Sequence, residues 1–275
     1  MLSACPGMHG NTRGGGLKKE ICPLRLLRLE INMDCLYIIV PAYNESENIE
    51  AFVEEWYPII ESHSGNGSSR LVIINDGSKD NTYEKLLELA KTRPYLVPLT
   101  KPNGGHGSTL IYGYRYAIAQ GADYIFQTDS DRQTLPSEFE AFWKRREKYD
   151  AVIGKRPVRG DGRDRAFVEQ TLCFMLRMIF RVALPDANAP YRLMKRELLE
   201  KYIGRFTDNY NLPNVMLTTF FASYHENFIF LPITFLPRRV GTNSVNFKNI
   251  IRIGWNSLAD FNRFRIEIEK DKKNH

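Results

Sequence analysis

Between residues 35 and 155, short apolar segments alternate with longer segments in which apolar residues recur every three or four positions. The apolar segments have the length of strands and lie at 35–43, 70–75, 95–100, 123–128 and 150–155. The segments between them have helical spacing and lie at 46–63, 80–92, 108–120 and 136–148. Strands that are apolar on both faces need cover on both faces. The pattern therefore predicts an α/β fold in which helices flank a mostly parallel sheet, and such sheets bind ligands at the carboxyl ends of their strands.

Unusual polar residues collect at the carboxyl ends of these five predicted strands. In strand order they are Pro41, Tyr43, Asn44 and Glu45; Asn75, Asp76, Gly77 and Ser78; Asn103 with the glycines that follow it; Asp129, Asp131 and Gln133; and Lys155 with Arg156. Any one of these stretches can be only a turn. Their joint placement at one edge of a sheet predicts a binding site at that edge.

Asp129 and Asp131 follow the fourth predicted strand, and like charges two residues apart repel each other. In an extended segment, residues two apart point the same way, so both carboxylates can reach one point. Hard divalent cations such as Mg²⁺ and Mn²⁺ take oxygen ligands and remove this repulsion, and Gln133 can add a neutral oxygen. The pattern indicates a cation site, although an aspartate that caps the helix predicted at Pro136 is the simpler alternative.

Five stretches together resemble family 2 glycosyltransferases of the GT-A fold: "IIVPAYNESENI", "VIINDGSKDNT", "NGGHGSTLIYGYRYA", "YIFQTDSDRQTLPSE" and "APYRLMKRELL". The most similar branch is that of the polyprenyl-phosphate sugar synthases, of the dolichol-phosphate mannose synthase type. The resemblance covers about residues 36–203. It implies an inverting, metal-dependent transfer of a sugar from a nucleotide-sugar donor to a polyprenyl phosphate or a related cell-envelope acceptor, with Mg²⁺ or Mn²⁺ as the cofactor.

The resemblance also implies roles for individual residues near the donor. For the nucleotide base and ribose these are Pro41, Tyr43, Glu45 and Asp76; for the metal and the donor diphosphate, Asp129, Asp131 and Gln133; and for the phosphates, Arg156, Arg238, Arg239 and Ser244. At two positions the sequence differs from the family pattern. Asn75 occupies a position where many relatives have aspartate, and His106 occupies one where many have lysine.

Asp186 and Arg192 match a motif that the resemblance assigns to the catalytic pocket for the sugar and the acceptor. A lipid phosphate is already anionic and needs no general base, whereas a hydroxyl acceptor requires a carboxylate to take its proton. Asp186 is the best candidate for that base, and a turn residue at a helix end is an equally good interpretation of it. Transfer to a saccharide hydroxyl therefore stays open as the alternative function, as does a non-catalytic module that binds nucleotide-sugars.

Other classes of protein fit the sequence less well. A nucleotidyltransferase would have a glycine-rich loop after the first strand, and a dinucleotide-binding dehydrogenase would have G-x-G-x-x-G there; neither is present. The net charge of +6 favours polyanionic partners. No recognition helix, zinc spacing or aromatic-basic sheet motif supports nucleic acid as that partner.

The chain organisation predicts a disordered or loosely attached extension at 1–32, a GT-A domain at 33–245, and a C-terminal amphipathic helix with a charged tail at 246–275. No apolar run reaches the length of about eighteen residues needed to span a bilayer. The segment 165–184 is apolar around most of a helix and carries Arg177 and Arg181, which fits either a helix at a membrane surface or a core helix. The segment 247–269 is a second candidate of this kind. The expected location is the cytoplasm, with a peripheral position on the inner face of the membrane if the acceptor is a lipid phosphate.

Overall fold

The computed structural model describes residues 34–64, 67–157, 163–237 and 247–274, with the backbone alone for 163–166 and 247–256. The described residues belong to one compact unit. The predicted N-terminal extension at 1–32 lies outside the described residues, as do Arg238, Arg239 and Ser244.

Strands and helices alternate through the first half of the unit, as the sequence pattern predicts. The strands are β1 Leu36–Ala42, β2 Arg70–Asn75, β3 Leu96–Thr100, β4 Tyr124–Gln127, β5 Ala151–Lys155, β6 Arg192–Lys195 and β7 Phe228–Pro232. The helices are α1 Ile49–Ser62, α2 Thr82–Ala90, α3 His106–Ala119, α4 Phe139–Trp143, α5 Arg163–Phe180, α6 Arg196–Ile203, α7 Pro213–Ser223 and α8 Phe247–Lys273, with a short 3₁₀ turn at Pro136–Glu138 before α4.

The strands form one sheet in the order β3-β2-β1-β4-β6-β5-β7. β6 runs antiparallel to both of its neighbours, and the remaining pairings among the described strands are parallel. Because β4 and β5 are both antiparallel to β6, they run in the same direction. The carboxyl ends of β1 to β5 therefore lie at one edge of the sheet, and the prediction of a mostly parallel α/β fold is confirmed.

Alternate strand residues enter two apolar clusters, one on each face of the sheet, because successive side chains point to opposite faces. Ile39, Val72 and Ile125 face the cluster that α3, α6 and α7 cover. Their neighbours Ile38, Leu71 and Phe126 face the cluster that α1 covers.

α3 lies very close to the sheet at Gly113. A Cβ atom there would lie 2.4 Å from Cγ2 of Ile39 and 2.7 Å from Cδ1 of Ile74, so only glycine fits. This close packing fixes the axis of α3, and with it the first residue of the helix, His106, at the functional edge.

The described part of α8 packs into the same unit. Phe261, Phe264 and Ile268 are buried in the cluster beside α7. The core therefore covers these three apolar side chains, whereas Ile266 is 41% exposed, and the role of 247–269 as a second membrane-surface candidate stays a prediction.

Candidate active site

Hydrogen bonds join the loops that follow β1 and β2. The Oδ1 atom of Asn44 accepts from the backbone N–H of Lys79 at 2.8 Å, and the backbone N–H of Asn44 donates to Oγ of Ser78 at 2.9 Å. One turn further on, the backbone N–H of Ser46 donates to Oδ2 of Asp80 at 3.2 Å. These bonds hold the two predicted nucleoside-binding loops as one rigid rim.

The three residues predicted to line the base and the ribose differ in exposure. Pro41 is buried, and its carbonyl accepts a hydrogen bond from Oγ of Ser130 at 2.9 Å, which ties the end of β1 to the loop after β4. Glu45 is also buried, and its Oε2 accepts from Nδ2 of Asn48 at 2.6 Å. Tyr43 is partly exposed. Of these three side chains, that of Tyr43 is the one best placed to meet a ligand.

Asp76 is only 3% exposed, and both of its carboxylate oxygens accept hydrogen bonds. Oδ1 accepts from Nζ of Lys101 at 2.5 Å and from the backbone N–H of Gly104 at 2.9 Å, and Oδ2 accepts from the backbone N–H of Gly105 at 2.8 Å. Gly105 has a φ of 85°, which glycine adopts without strain. Asp76 therefore fixes the glycine turn that leads into α3. The predicted hydrogen bond between Asp76 and the nucleotide base stays a prediction. The carboxylate would have to accept it in addition to these three contacts.

We expect Asp76→Asn to lower the free energy of unfolding by about 1–3 kcal/mol, because the amide cannot accept both backbone N–H groups and one is left unpaired. The same variant should bind a nucleoside diphosphate more weakly, because the glycine turn loses its fixed shape. Urea unfolding and isothermal calorimetry measure the two effects. Asp208→Asn is the control, because the Asp208 side chain is 83% exposed. Weakened nucleotide binding at unchanged stability would instead identify a direct contact between Asp76 and the base.

The loop after β4 carries both aspartates of the predicted cation site. Oδ1 of Asp129 lies 3.0 Å from Nε2 of His106, and the Asp129 side chain is 26% exposed. Oδ1 of Asp131 accepts from the backbone N–H of Gln133 at 3.2 Å. The His106 side chain is half exposed, and its partial desolvation lowers its pKa, but the charge of Asp129 and the hydrogen bond between them outweigh this effect and raise the pKa. The negative charges of Asp131 and Asp76 act on the His106 ring in the same direction.

Two contacts hold this loop in shape. Arg132 lies between the predicted ligands with a φ of 60°, a conformation that costs a side chain other than glycine about 1 kcal/mol. Its guanidinium donates two hydrogen bonds to Oε1 of Glu55 on α1, one of them from Nε at 3.1 Å. The hydroxyl oxygens of Thr128 and Thr134 lie 2.8 Å apart and close the base of the loop.

The donor set of the loop fits a hard divalent cation. Asp129 and Asp131 supply carboxylate oxygens, the ligands that Mg²⁺ and Mn²⁺ prefer. Gln133 is 3% exposed and its Nε2 donates to the carbonyl of Leu236 at 2.7 Å. In the described ranges, no three His, Cys, Asp or Glu side chains converge as a complete metal site. A cation here would therefore take its remaining ligands from the substrate or from residues of other types.

Arg156 and Asp186 form a buried ion pair, with side chains 5% and 4% exposed. Nε and one terminal nitrogen of Arg156 each donate to the Asp186 carboxylate at 2.8 Å, and the Arg156 backbone N–H donates to it at 3.1 Å. Glu169 of α5 lies 3.6 Å from the same guanidinium and accepts from the backbone N–H of Ala187 at 2.9 Å. The cluster joins the end of β5 to α5 and to the loop before β6. The two predicted residues, Arg156 and Asp186, therefore bind each other.

Arg192 is fully buried and reaches no open surface. Its guanidinium donates to the carbonyls of Ala189 at 2.9 Å and Asn214 at 3.2 Å, and burial lowers its pKa. These bonds fix the loop that carries Asp186 against α7. The geometry therefore gives Arg192 a positioning role. The resemblance implies that Arg192 contacts the substrate, but its side chain in this arrangement contacts only protein groups among the described residues.

α5 leaves an apolar row uncovered. Phe167, Phe174 and Met178 are 67%, 64% and 67% exposed, and Arg177 and Arg181 beside them are exposed as well. Among the described residues, no helix combines the length and the apolar character needed to cross a bilayer.

Several residues that shape the site were not predicted from the sequence. They are Glu55, which partners Arg132 between the predicted ligands, and Lys101 and Glu169, which partner the predicted residues Asp76 and Arg156. Glu55 and Glu169 lie within helical segments and look like ordinary solvated charges. The position of Lys101 directly after the third strand was the one available signal.

Comparisons with known proteins find a matching family model and several sequence relatives. A family model described as glycosyl transferase family 2 matches residues 37–203. A polyprenol monophosphomannose synthase from Mycolicibacterium smegmatis is 26% identical over 222 residues, which is 78% of this chain and 82% of that protein. An undecaprenyl-phosphate 4-deoxy-4-formamido-L-arabinose transferase from Pectobacterium carotovorum is 22% identical over 81% of this chain and 66% of that protein.

A solved structure has the same fold. Glucosyl-3-phosphoglycerate synthase from Mycobacterium tuberculosis, crystallised with Mn²⁺, UDP-glucose and phosphoglyceric acid, superposes with a TM-score of 0.60 at 17% identity. The superposition covers 85% of this chain and 80% of that one. At this identity the likeness concerns the fold, which is the GT-A fold that the sequence motifs predict.

Proposed function

The chain belongs to glycosyl transferase family 2, and from that premise we propose that it transfers a sugar, with inversion at the anomeric carbon, from a nucleotide-sugar to a polyprenyl phosphate. The sequence relatives support this choice of acceptor, because their names specify polyprenol or undecaprenyl phosphate.

The hydrogen bonding of Asp186 is the main structural support for a lipid phosphate as the acceptor. A hydroxyl acceptor must lose a proton, and its general base needs a free carboxylate within hydrogen-bonding reach. Asp186 instead accepts three hydrogen bonds from Arg156, and Glu169 is bound to the backbone of Ala187. Asp129 and Asp131 belong to the proposed cation site. A lipid phosphate is anionic before it binds and needs none of these carboxylates as a base.

The donor would lie along the edge of the sheet. The rim formed by the loops after β1 and β2, where Tyr43 is partly exposed, is the proposed binding site of the nucleoside. Asp129, Asp131 and Gln133 would hold a divalent cation, which would neutralise the charge that develops on the leaving diphosphate. Arg238, Arg239 and Ser244 remain candidates for contacts with the phosphates.

α5 links the membrane surface to the reaction centre in this proposal. Phe167 and Phe174 point away from the unit, whereas Glu169 on the same helix points inward and binds the loop of Asp186. The exposed row supports contact of α5 with a membrane surface. A peripheral position on the inner face of the membrane is part of this proposal.

A panel of nucleotide-sugars tests the proposal. Purified protein is incubated with each donor and Mn²⁺, with a short-chain polyprenyl phosphate, with the matching polyprenol, or with no acceptor. We expect sugar transfer to the phosphate and none to the alcohol. Equal transfer to both would show that the enzyme activates a hydroxyl, and the choice of acceptor proposed above would then be wrong.

We expect the protein to co-sediment with anionic liposomes at low salt and to detach at high salt, because burial of the α5 row and attraction to acidic headgroups act together. Charge reversal of Arg177 and Arg181 to glutamate should reduce binding without changing nucleotide affinity. The matched control reverses Arg263 and Arg265, whose side chains are 48% and 45% exposed on α8. Equal losses in both double variants, or no binding by the wild type, would contradict a specific role for α5.

A further inference from the structure

The loop after β4 takes an unusual backbone conformation at Arg132, which lies between Asp131 and Gln133. Arg132 has a φ of 60°, in the left-handed region that glycine adopts freely and that other residues adopt at a cost. On one side of it Asp131 accepts a hydrogen bond from the backbone N–H of Gln133, which lies on the other side. The conformation of residue 132 therefore sets the orientation of one predicted ligand relative to the next.

Two residues that alternate with the aspartates attach this loop to the rest of the unit. Oγ of Ser130 donates to the carbonyl of Pro41 at the end of β1, at 2.9 Å. The guanidinium of Arg132 donates twice to Oε1 of Glu55 on α1, and the Arg132 side chain is only 19% exposed. In the part of the chain that the structure describes, Glu55 is the one residue to which this guanidinium is hydrogen-bonded. The ion pair with α1 is therefore the contact that offsets the cost of the left-handed conformation.

We propose that Glu55 is a positioning residue for the donor: through Arg132 it holds the loop in the conformation that binds the metal and the diphosphate. The inference rests on the proposed metal-dependent function and extends the site to a residue of α1 that acts only through Arg132. Without the pair, residue 132 keeps the cost of the left-handed conformation and loses what offsets it. That cost corresponds to a change of about five- to thirtyfold in the population of the binding conformation.

Calorimetry measures the consequence for binding. The probe is the nucleoside diphosphate that the wild type binds most tightly among UDP, GDP, CDP and dTDP, at saturating Mn²⁺. We expect its dissociation constant to rise about five- to thirtyfold in Glu55→Ala, since alanine preserves the helix and removes the ion pair. Glu54→Ala is the matched control, because Glu54 precedes Glu55 on α1 and pairs with Arg93. The control should bind the probe as the wild type does, and equal weakening in both variants would overturn the inference.

Substitutions at residue 132 identify the cause of the effect. Arg132→Ala loses the pair and keeps the cost of the left-handed conformation, so it should bind the probe as weakly as Glu55→Ala. Arg132→Gly loses the same pair but adopts a φ of 60° without strain, and it should bind the probe clearly more tightly than Arg132→Ala. Adding Glu55→Ala to Arg132→Gly should then have no further effect. Equal weakening in Arg132→Gly and Arg132→Ala would show that the guanidinium contributes by itself and that the backbone conformation does not, which contradicts the inference.

Hydrogen exchange measures the loop without any ligand. The backbone N–H groups of residues 129–134 should exchange faster in Glu55→Ala than in Glu54→Ala, and unchanged exchange would show that the pair does not hold the loop. Binding of the probe that Asp131→Ala abolishes and Glu55→Ala leaves unchanged overturns the role of Glu55 and leaves the proposed function intact. If the wild type binds none of the four nucleotides with Mn²⁺, both the inference and the metal-dependent function are wrong.

Discussion

Asp131→Ala is expected to lower kcat/KM by on the order of 100-fold or more, because a cation that stabilises the leaving diphosphate contributes several kcal/mol to the transition state. The free energy of unfolding should fall by no more than about 1 kcal/mol. Asp131 lies in a partly exposed loop at the sheet edge, and its Oδ1 atom accepts a hydrogen bond from the backbone N–H of Gln133, whose loss has a modest cost. Steady-state assays and urea unfolding on the same preparations measure the two quantities.

Two comparisons make this result specific for a cation. Excess EDTA should remove wild-type activity and added Mn²⁺ should restore it, whereas Asp131→Ala should recover little at any Mn²⁺ concentration that is practical. Asp208→Ala, at an exposed position, should keep wild-type activity. Full activity of the wild type in excess EDTA would rule out a cation at Asp129 and Asp131.

The five strands and the functional edge were predictable because their signals are local. A short, mostly apolar segment is typical of a strand inside a covered sheet, so β1 to β5 follow from the sequence pattern. β6 was not predicted, since Arg192–Lys195 is four residues long and two of them are basic. β7 contains Phe228–Pro232 at the sheet edge and is only partly buried, so its pattern is weak.

Helix boundaries depended on contacts that the sequence does not display. The first helix was predicted from residue 46 but begins at Ile49. The residues before it form a turn in which the backbone N–H groups of Glu45 and Ser46 donate to Thr82 and Asp80. These partners are more than thirty positions away in the sequence, and no local pattern predicts the contacts.

The positions of the site residues were predictable, but their partners were not. A residue that directly follows a strand lies at the edge of the sheet, whichever partners its side chain contacts. Whether the carboxylate of Asp76 meets a base or two backbone N–H groups depends on the turn at Gly104 and Gly105. Arg156 and Asp186 were assigned to different parts of the substrate, whereas the fold joins them as one pair. The pairing could not be inferred from a separation of thirty residues.

Arg156→Ala is expected to be the most destabilising change in this region, at about 3–5 kcal/mol of the free energy of unfolding. The variant takes away the guanidinium that is paired with the buried carboxylate of Asp186 and that also lies 3.6 Å from Glu169. Removal of one partner of a buried pair costs more than the pair contributes, because the remaining charge stays desolvated. Urea unfolding measures the loss. The double variant Arg156→Met/Asp186→Asn should recover a large part of it, since no buried charge of the pair is then left alone.

Asp186→Asn separates the two interpretations of this pair. The amide has the size of the carboxylate and can still accept from Arg156, so the loop before β6 should keep its shape. If the acceptor is a lipid phosphate, activity should fall less than about tenfold, because no proton has to be removed from the attacking oxygen. If Asp186 is a general base, the loss should be about 10²–10⁴-fold, the range by which such proton transfer accelerates reactions. The comparison is made at saturating donor, with Arg156→Lys as the variant that disturbs the pair and retains the carboxylate. A large loss confined to Asp186→Asn, at unchanged stability, would identify the base and direct the search for the acceptor to hydroxyl groups.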